Sequence, residues 1–84
     1  MTYEIFKYKL KTLGFSYNVS NNIINIVNIN LKPMCSISTN EWFDVRINDE
    51  FYKLDKSLQK ILFNLTTELS KTPLDKRGYL KDVK

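Results

Sequence analysis

Few side chains in this chain could carry out chemistry. It has one cysteine, Cys35, and no histidine. Nucleophilic catalysis needs an activated serine, cysteine or lysine with a base held beside it, and Cys35 has no imidazole to pair with. A thiol on a strand reads as a small core residue. Asp44, Asp49 and Glu50 lack the spacing of a calcium loop, and nothing in their surroundings marks them for acid–base work. Zinc and related metals need clustered histidine or cysteine, so neither a metal site nor a cofactor is expected. Gly14 and Gly78, the only glycines, stand where helix caps belong rather than in a phosphate-binding loop. The expectation is a protein that is not an enzyme.

Binding is what remains. The run Trp42–Ile47 alternates, which places Phe43, Val45 and Ile47 inward and Trp42, Asp44 and Arg46 outward. Exposed tryptophan often anchors interfaces. Trp42, Asp44 and Arg46, extended by Asp49 and Glu50, therefore form the expected partner-binding surface. The competing reading has Trp42 covered by the C-terminal segment at Tyr79 or Leu80. A second surface follows from charge. The net charge is +4, basic at both ends and acidic in the turn around Asp49. Lys53, Lys56 and Lys60 at the start of the last long helix, with Lys76 and Arg77 beyond its end, would suit nucleic acid. Ile24 and Ile26 read as facing away from the core side of their strand. A partner or a second copy, making a homodimer, would have to cover them.

These residues need elements to position them. Thr2 to Leu13 reads as a helix, capped by Thr2 and closed by Gly14, with Tyr3, Phe6, Leu10 and Leu13 in one stripe. Phe15 to Val19 alternates as a strand, and Ser20-Asn21-Asn22 is a turn, because asparagine tolerates positive φ. Ile23 to Leu31 is the clearest strand, with Ile23, Val27, Ile29 and Leu31 on one side. Met34 to Ser38 and Trp42 to Ile47 would follow as further strands. Asp55 caps a helix running to about Ser70 or Lys71, whose stripe is Leu58, Ile61, Leu62, Leu65 and Leu69. Thr72-Pro73-Leu74-Asp75 signals one more helical turn.

The reading is one α+β domain over residues 1–84, frayed from about residue 81. It has an antiparallel sheet of three or four strands with two helices on one face, in the order α-β-β-β(-β)-α. A chain this short buries roughly 60% of its unfolded surface, so the core is small. The N-terminal run MTYEIFKYKLK is no signal peptide. No apolar run approaches the ~20 residues that span a membrane, and a lone cysteine favours a reducing compartment. The expected location is the cytoplasm of a bacterial host.

The order helix, three strands, helix resembles that of double-stranded-RNA-binding domains, which present lysines at the start of the last helix. This chain lacks their alanines and histidine-bearing loop, and Asp49, Glu50 and Asp55 would repel phosphate. The chain is rich in asparagine, isoleucine, lysine and tyrosine and has no alanine, a vocabulary of AT-rich codons. In size, vocabulary and the stop Thr72 to Arg77 it resembles small accessory proteins of phages and prophages of low-GC Gram-positive bacteria. In size and element order it is similar to some anti-CRISPR proteins. The resemblance implies a non-enzymatic protein that binds and blocks another, such as a host defence nuclease. Its basic charge departs from acidic inhibitors that imitate DNA.

Overall fold

The hydroxyl of Thr2 accepts the Ile5 N–H at 3.3 Å and opens helix α1, Tyr3–Thr12. The helix stops at Gly14, whose φ of +84° is the left-handed conformation that glycine adopts without strain. The Phe15 N–H bonds back to Leu10 and the Gly14 N–H to Lys11, closing a Schellman motif. The chain emerges as β1, Ser16–Ser20, and turns through Asn21 and Asn22, both at positive φ. Two such residues form the turn whose twist matches an antiparallel hairpin, and β2, Ile23–Val27, pairs back on β1. β3 spans Pro33–Ser38 and β4 Val45–Ile47. The sheet is an antiparallel meander in the order β1-β2-β3-β4. A 3-10 turn at Asp49–Lys53, helix α2 at Lys56–Lys71 and a second 3-10 turn at Leu74–Lys76 complete the chain. The computed structural model describes residues 1–80, so the expected fraying from residue 81 lies outside the described residues. The fold is α+β, as the order of elements in the sequence implies.

The register decides which sheet face is the core. Ile24 pairs with Ile37 and Ile26 with Cys35, and all four are buried with Phe6 and Leu10 of α1 and Leu62, Leu65 and Leu69 of α2. Both helices thus cover one face. Ile24 and Ile26 point into the core, not away from it, which corrects the expected facing of β2 and removes the reason to cover them with a second copy. The strand is also shorter than its apolar run to Leu31. The pairing shifts by a residue between Ile26 and Val27, and the strand ends at Val27. There the Asn28 side chain accepts the N–H groups of Asn30 and Lys32 and turns the chain, with Leu31 at φ +63°. Ile29 and Leu31, expected in the core, are 95% and 75% exposed. On the opposite face Asn18, Asn25, Ser36 and Arg46 stand in one register across all four strands.

At the far end of α2 a cation is buried. Arg77 is wholly inaccessible. Its Nε donates to the Thr72 carbonyl at 3.0 Å, one Nη to Ser38 at 2.8 Å and the other to Ser70 at 3.1 Å. Its own carbonyl accepts the Tyr3 N–H at 2.7 Å. Among the described residues no carboxylate pairs with it. The last carbonyls of a helix lack internal partners and carry the negative end of its dipole. Arg77 answers both needs while joining β3, α2 and the start of α1.

Two outcomes follow. Arg77→Met should cost about 3 kcal/mol or more in urea unfolding, because carbonyls left buried without donors are expensive. Arg77→Lys should be intermediate, since an ammonium cannot reproduce the planar fork. Cys35 is fully buried, and desolvation pushes its thiol up to about 12. A disulfide-exchange reagent at neutral pH should label Cys35 only in unfolded protein; rapid labelling of native protein would contradict this packing.

Candidate functional site

The connection from β3 to β4 is built around Ser38. Its hydroxyl accepts the N–H groups of Asn40 and Glu41 at 3.2 and 2.9 Å and donates to the Asn40 side chain at 2.8 Å. The Ser38 N–H reaches the Asp44 carbonyl at 3.1 Å and closes the loop. Phe43 then takes a φ of +62°, so the alternation expected from Trp42 onward does not begin until β4. The Phe43 N–H donates to the Ser70 carbonyl at 3.0 Å, and Trp42 Nε1 donates to the Lys71 carbonyl at 2.7 Å. The loop is therefore a second cap on the C-terminus of α2.

This geometry corrects the expected placement of Phe43. It is 62% exposed, not inward, and Trp42 is 51% exposed. Their rings stack with centroids 4.7 Å apart and planes 15° apart. The one polar atom of the pair, the indole N–H, is already satisfied inside the protein. The outer surface of the stack is apolar and makes no demand for a polar partner. The C-terminal segment leaves Trp42 half-exposed: Tyr79 is itself 75% exposed, and Leu80 is buried in the core cluster.

The other expected partner-binding residues fall into separate groups. Arg46 meets Asp44 at 3.6 Å in an exposed pair, the kind that contributes little. Asp49 is exposed in the first turn of the 3-10 segment. Glu50 faces the β2–β3 turn instead. It accepts from Lys53 Nζ at 2.8 Å and Asn28 Nδ2 at 3.2 Å, with Lys32 at 4.0 Å. These cations, the Lys53 hydrogen bond foremost, hold its carboxyl below the usual glutamate range. Glu50 braces the turn that displays Ile29 and Leu31. Trp42 and Glu50 thus attach to opposite ends of β4.

The lysines expected to contact nucleic acid are also divided. Lys53 is engaged by Glu50, and Lys56 and Lys60 are exposed on the first turns of α2. Lys76 lies past the other end of this 16-residue helix, about 24 Å away at 1.5 Å per residue. Arg77 is buried and leaves the set altogether. Its hydrogen bonds go to the backbone carbonyls of Ser38, Ser70 and Thr72, and it shares the Ser70 carbonyl with the Phe43 N–H. Sequence reading missed Phe43, Ile29 and Leu31 as surface residues. Asn28 and Asn30 before Lys32-Pro33 were the available turn signal; nothing marked Phe43.

Among the described residues no three metal-ligating side chains gather, and no helix is long and apolar enough to cross a membrane. No protein-family model matches the chain, nor does any curated protein, and no solved structure matches its fold.

Acid stability reports on this region. Asp55 caps α2 by accepting the Leu58 N–H at 2.9 Å and the Ser57 hydroxyl at 2.7 Å, and these bonds lower its pKa. Asp55 and Glu50 are both depressed in the folded state, so protonation favours the unfolded chain. Their stabilisation is complete above the ordinary values of 3.8 and 4.5 and is lost as pH falls through the lower folded ones. The melting temperature of Asp55→Asn with Glu50→Gln should fall less steeply with acid below pH 4.5 than that of the parent protein; parallel curves would contradict the assignment.

Proposed function

We propose that the protein is a non-catalytic binding module that engages another protein through the Trp42–Phe43 stack. One observation carries this reading: two large rings are held outward, stacked on each other, with their polar atom satisfied internally. Aromatic anchors fixed before binding lose little conformational entropy when a partner covers them. Phe43 adds a further argument. A left-handed backbone is costly for a bulky residue, by about 1–2 kcal/mol; the Phe43 N–H bond to Ser70 offsets part of that, while the ring stays largely exposed. Strain at an exposed side chain is consistent with a role in recognition.

The absence of histidine and the burial of the only thiol support a non-enzymatic role. Composition and size support a phage source, so a bacterial defence nuclease is the partner class to test first, in the cytoplasm where such an encounter would occur. Asp44 and Arg46 follow Trp42 and Phe43 in the chain and are proposed as the polar rim. Asp49 and Glu50 are not proposed as contacts, since Glu50 is occupied in bracing the neighbouring turn.

Phe43→Gly separates folding from binding. Glycine relieves the left-handed strain but adds freedom to the unfolded chain, worth about 0.4–1 kcal/mol. The two offset, so stability should change by less than about 1 kcal/mol. Capture of a partner from nuclease-treated bacterial lysate should be lost with Phe43→Gly and with Trp42→Ala. Retention by a folded Phe43→Gly protein would exclude this surface.

A further inference from the structure

Tyr8 stands on α1 with 72% of its surface exposed, and the core makes no use of its ring. It lines two hollows at once. One, of about 410 Å³, lies between α1 and α2, with Leu13, Ile61 and Leu65 in its apolar lining and Lys9 beside Tyr8. The other, of about 500 Å³, reaches from α1 to β1, with Phe15 and Tyr17 in its walls and Lys7 and Lys11 on the helix side. Lys7 Nζ lies over the Tyr17 ring, 6.0 Å from its centroid. Glu68, on the α2 side of the first hollow, is the one carboxylate among the described residues lining either.

An aromatic ring with hollows around it and lysines one helical turn or less away has two complementary features. A flat apolar face can stack on the ring, and an anion attached to that face can meet the ammonium groups. Nucleotides combine both features, because every base has a π-face and every linkage a phosphate. Stacking of this kind tolerates any sequence and needs unpaired bases. A duplex keeps its base faces inside its own stack and could use only the lysines. The lysines outnumber Glu68, and the whole chain carries +4, so charge complementarity favours the polyanion over an acidic or neutral peptide.

We propose that this face of α1 binds single-stranded nucleic acid, with a base stacked on Tyr8 and flanking phosphates held by Lys9 and Lys11. The surface shares no residue with the Trp42–Phe43 stack or with the lysines of α2.

The test is fluorescence anisotropy of a short labelled oligothymidylate and of oligouridylate, titrated with the intact chain across a salt series. Affinity should fall with salt with a log–log slope of about −1.4, near −0.7 for each of two phosphates. Tyr8→Ala should weaken binding about tenfold while Tyr8→Phe matches the parent, as stacking requires. Lys9→Glu with Lys11→Glu should abolish binding, and Glu68→Gln should tighten it. Phe43→Gly should bind like the parent, which separates this site from the protein-binding surface. The three substituted positions of α1 are exposed. Lys9 and Lys11 lie in its last turn, so their reversal should lower the melting temperature modestly, and a cooperative transition establishes that each variant folds. No anisotropy change at low salt overturns the proposal. So does equal binding by Tyr8→Ala, or stronger competition by duplex than by single strand.

Discussion

Everything at one pole of the molecule depends on how the carbonyls ending α2 are satisfied. Helices commonly finish on a glycine that lets the backbone fold back on itself, and α1 does so at Gly14. α2 has no such residue. Its final carbonyls take donors from remote parts of the chain: Phe43 and Trp42 from the β3–β4 loop and Arg77 from the C-terminal segment. A guanidinium suits this place because it offers several donors in one plane and a positive charge to the negative end of the helix dipole. Burying a cation is costly unless its donors are satisfied. Here oriented carbonyls take them, and among the described residues no carboxylate does.

The same constraint shapes the exposed surface. Because the Phe43 and Trp42 N–H groups are drawn toward α2, their rings are left outside and stacked on each other. At the other end of the sheet, Asn28 and Glu50 hold a turn whose apolar side chains, Ile29 and Leu31, likewise face solvent. Both features have a bulky residue in the left-handed region, Phe43 and Leu31. In each, backbone hydrogen bonding decides where the chain goes and the side chain follows. The two ends are separated by the three residues of β4.

Local signals were readable where a residue bonds to its own neighbours. Thr2 and Asp55 as caps, Gly14 as a stop and Asn21-Asn22 as a hairpin turn all depend on interactions within a few residues. The stripe of α2 was readable too, although Ile61 proved half-exposed beside the hollow it lines with Tyr8. The facing of β2 was not. Apolar residues fill both parities there, so alternation alone could not choose a side. Pairing with Cys35 and Ile37 made the choice, and those residues lie in another strand.

The amino-acid sequence by itself determined the α+β order, the ends of both helices and the poverty of catalytic groups, because each follows from composition or short-range periodicity. Tertiary structure alone decided the fate of Arg77, which reads as a surface cation and is the most deeply bound one. It also turned Phe43 outward, paired Glu50 with a turn distant in sequence and set Tyr8 between two hollows. The reason is common to all four. A side chain's place is set by which polar backbone groups lack partners and which surfaces adjoin once the layers close, and those are properties of the packed chain rather than of any segment of it.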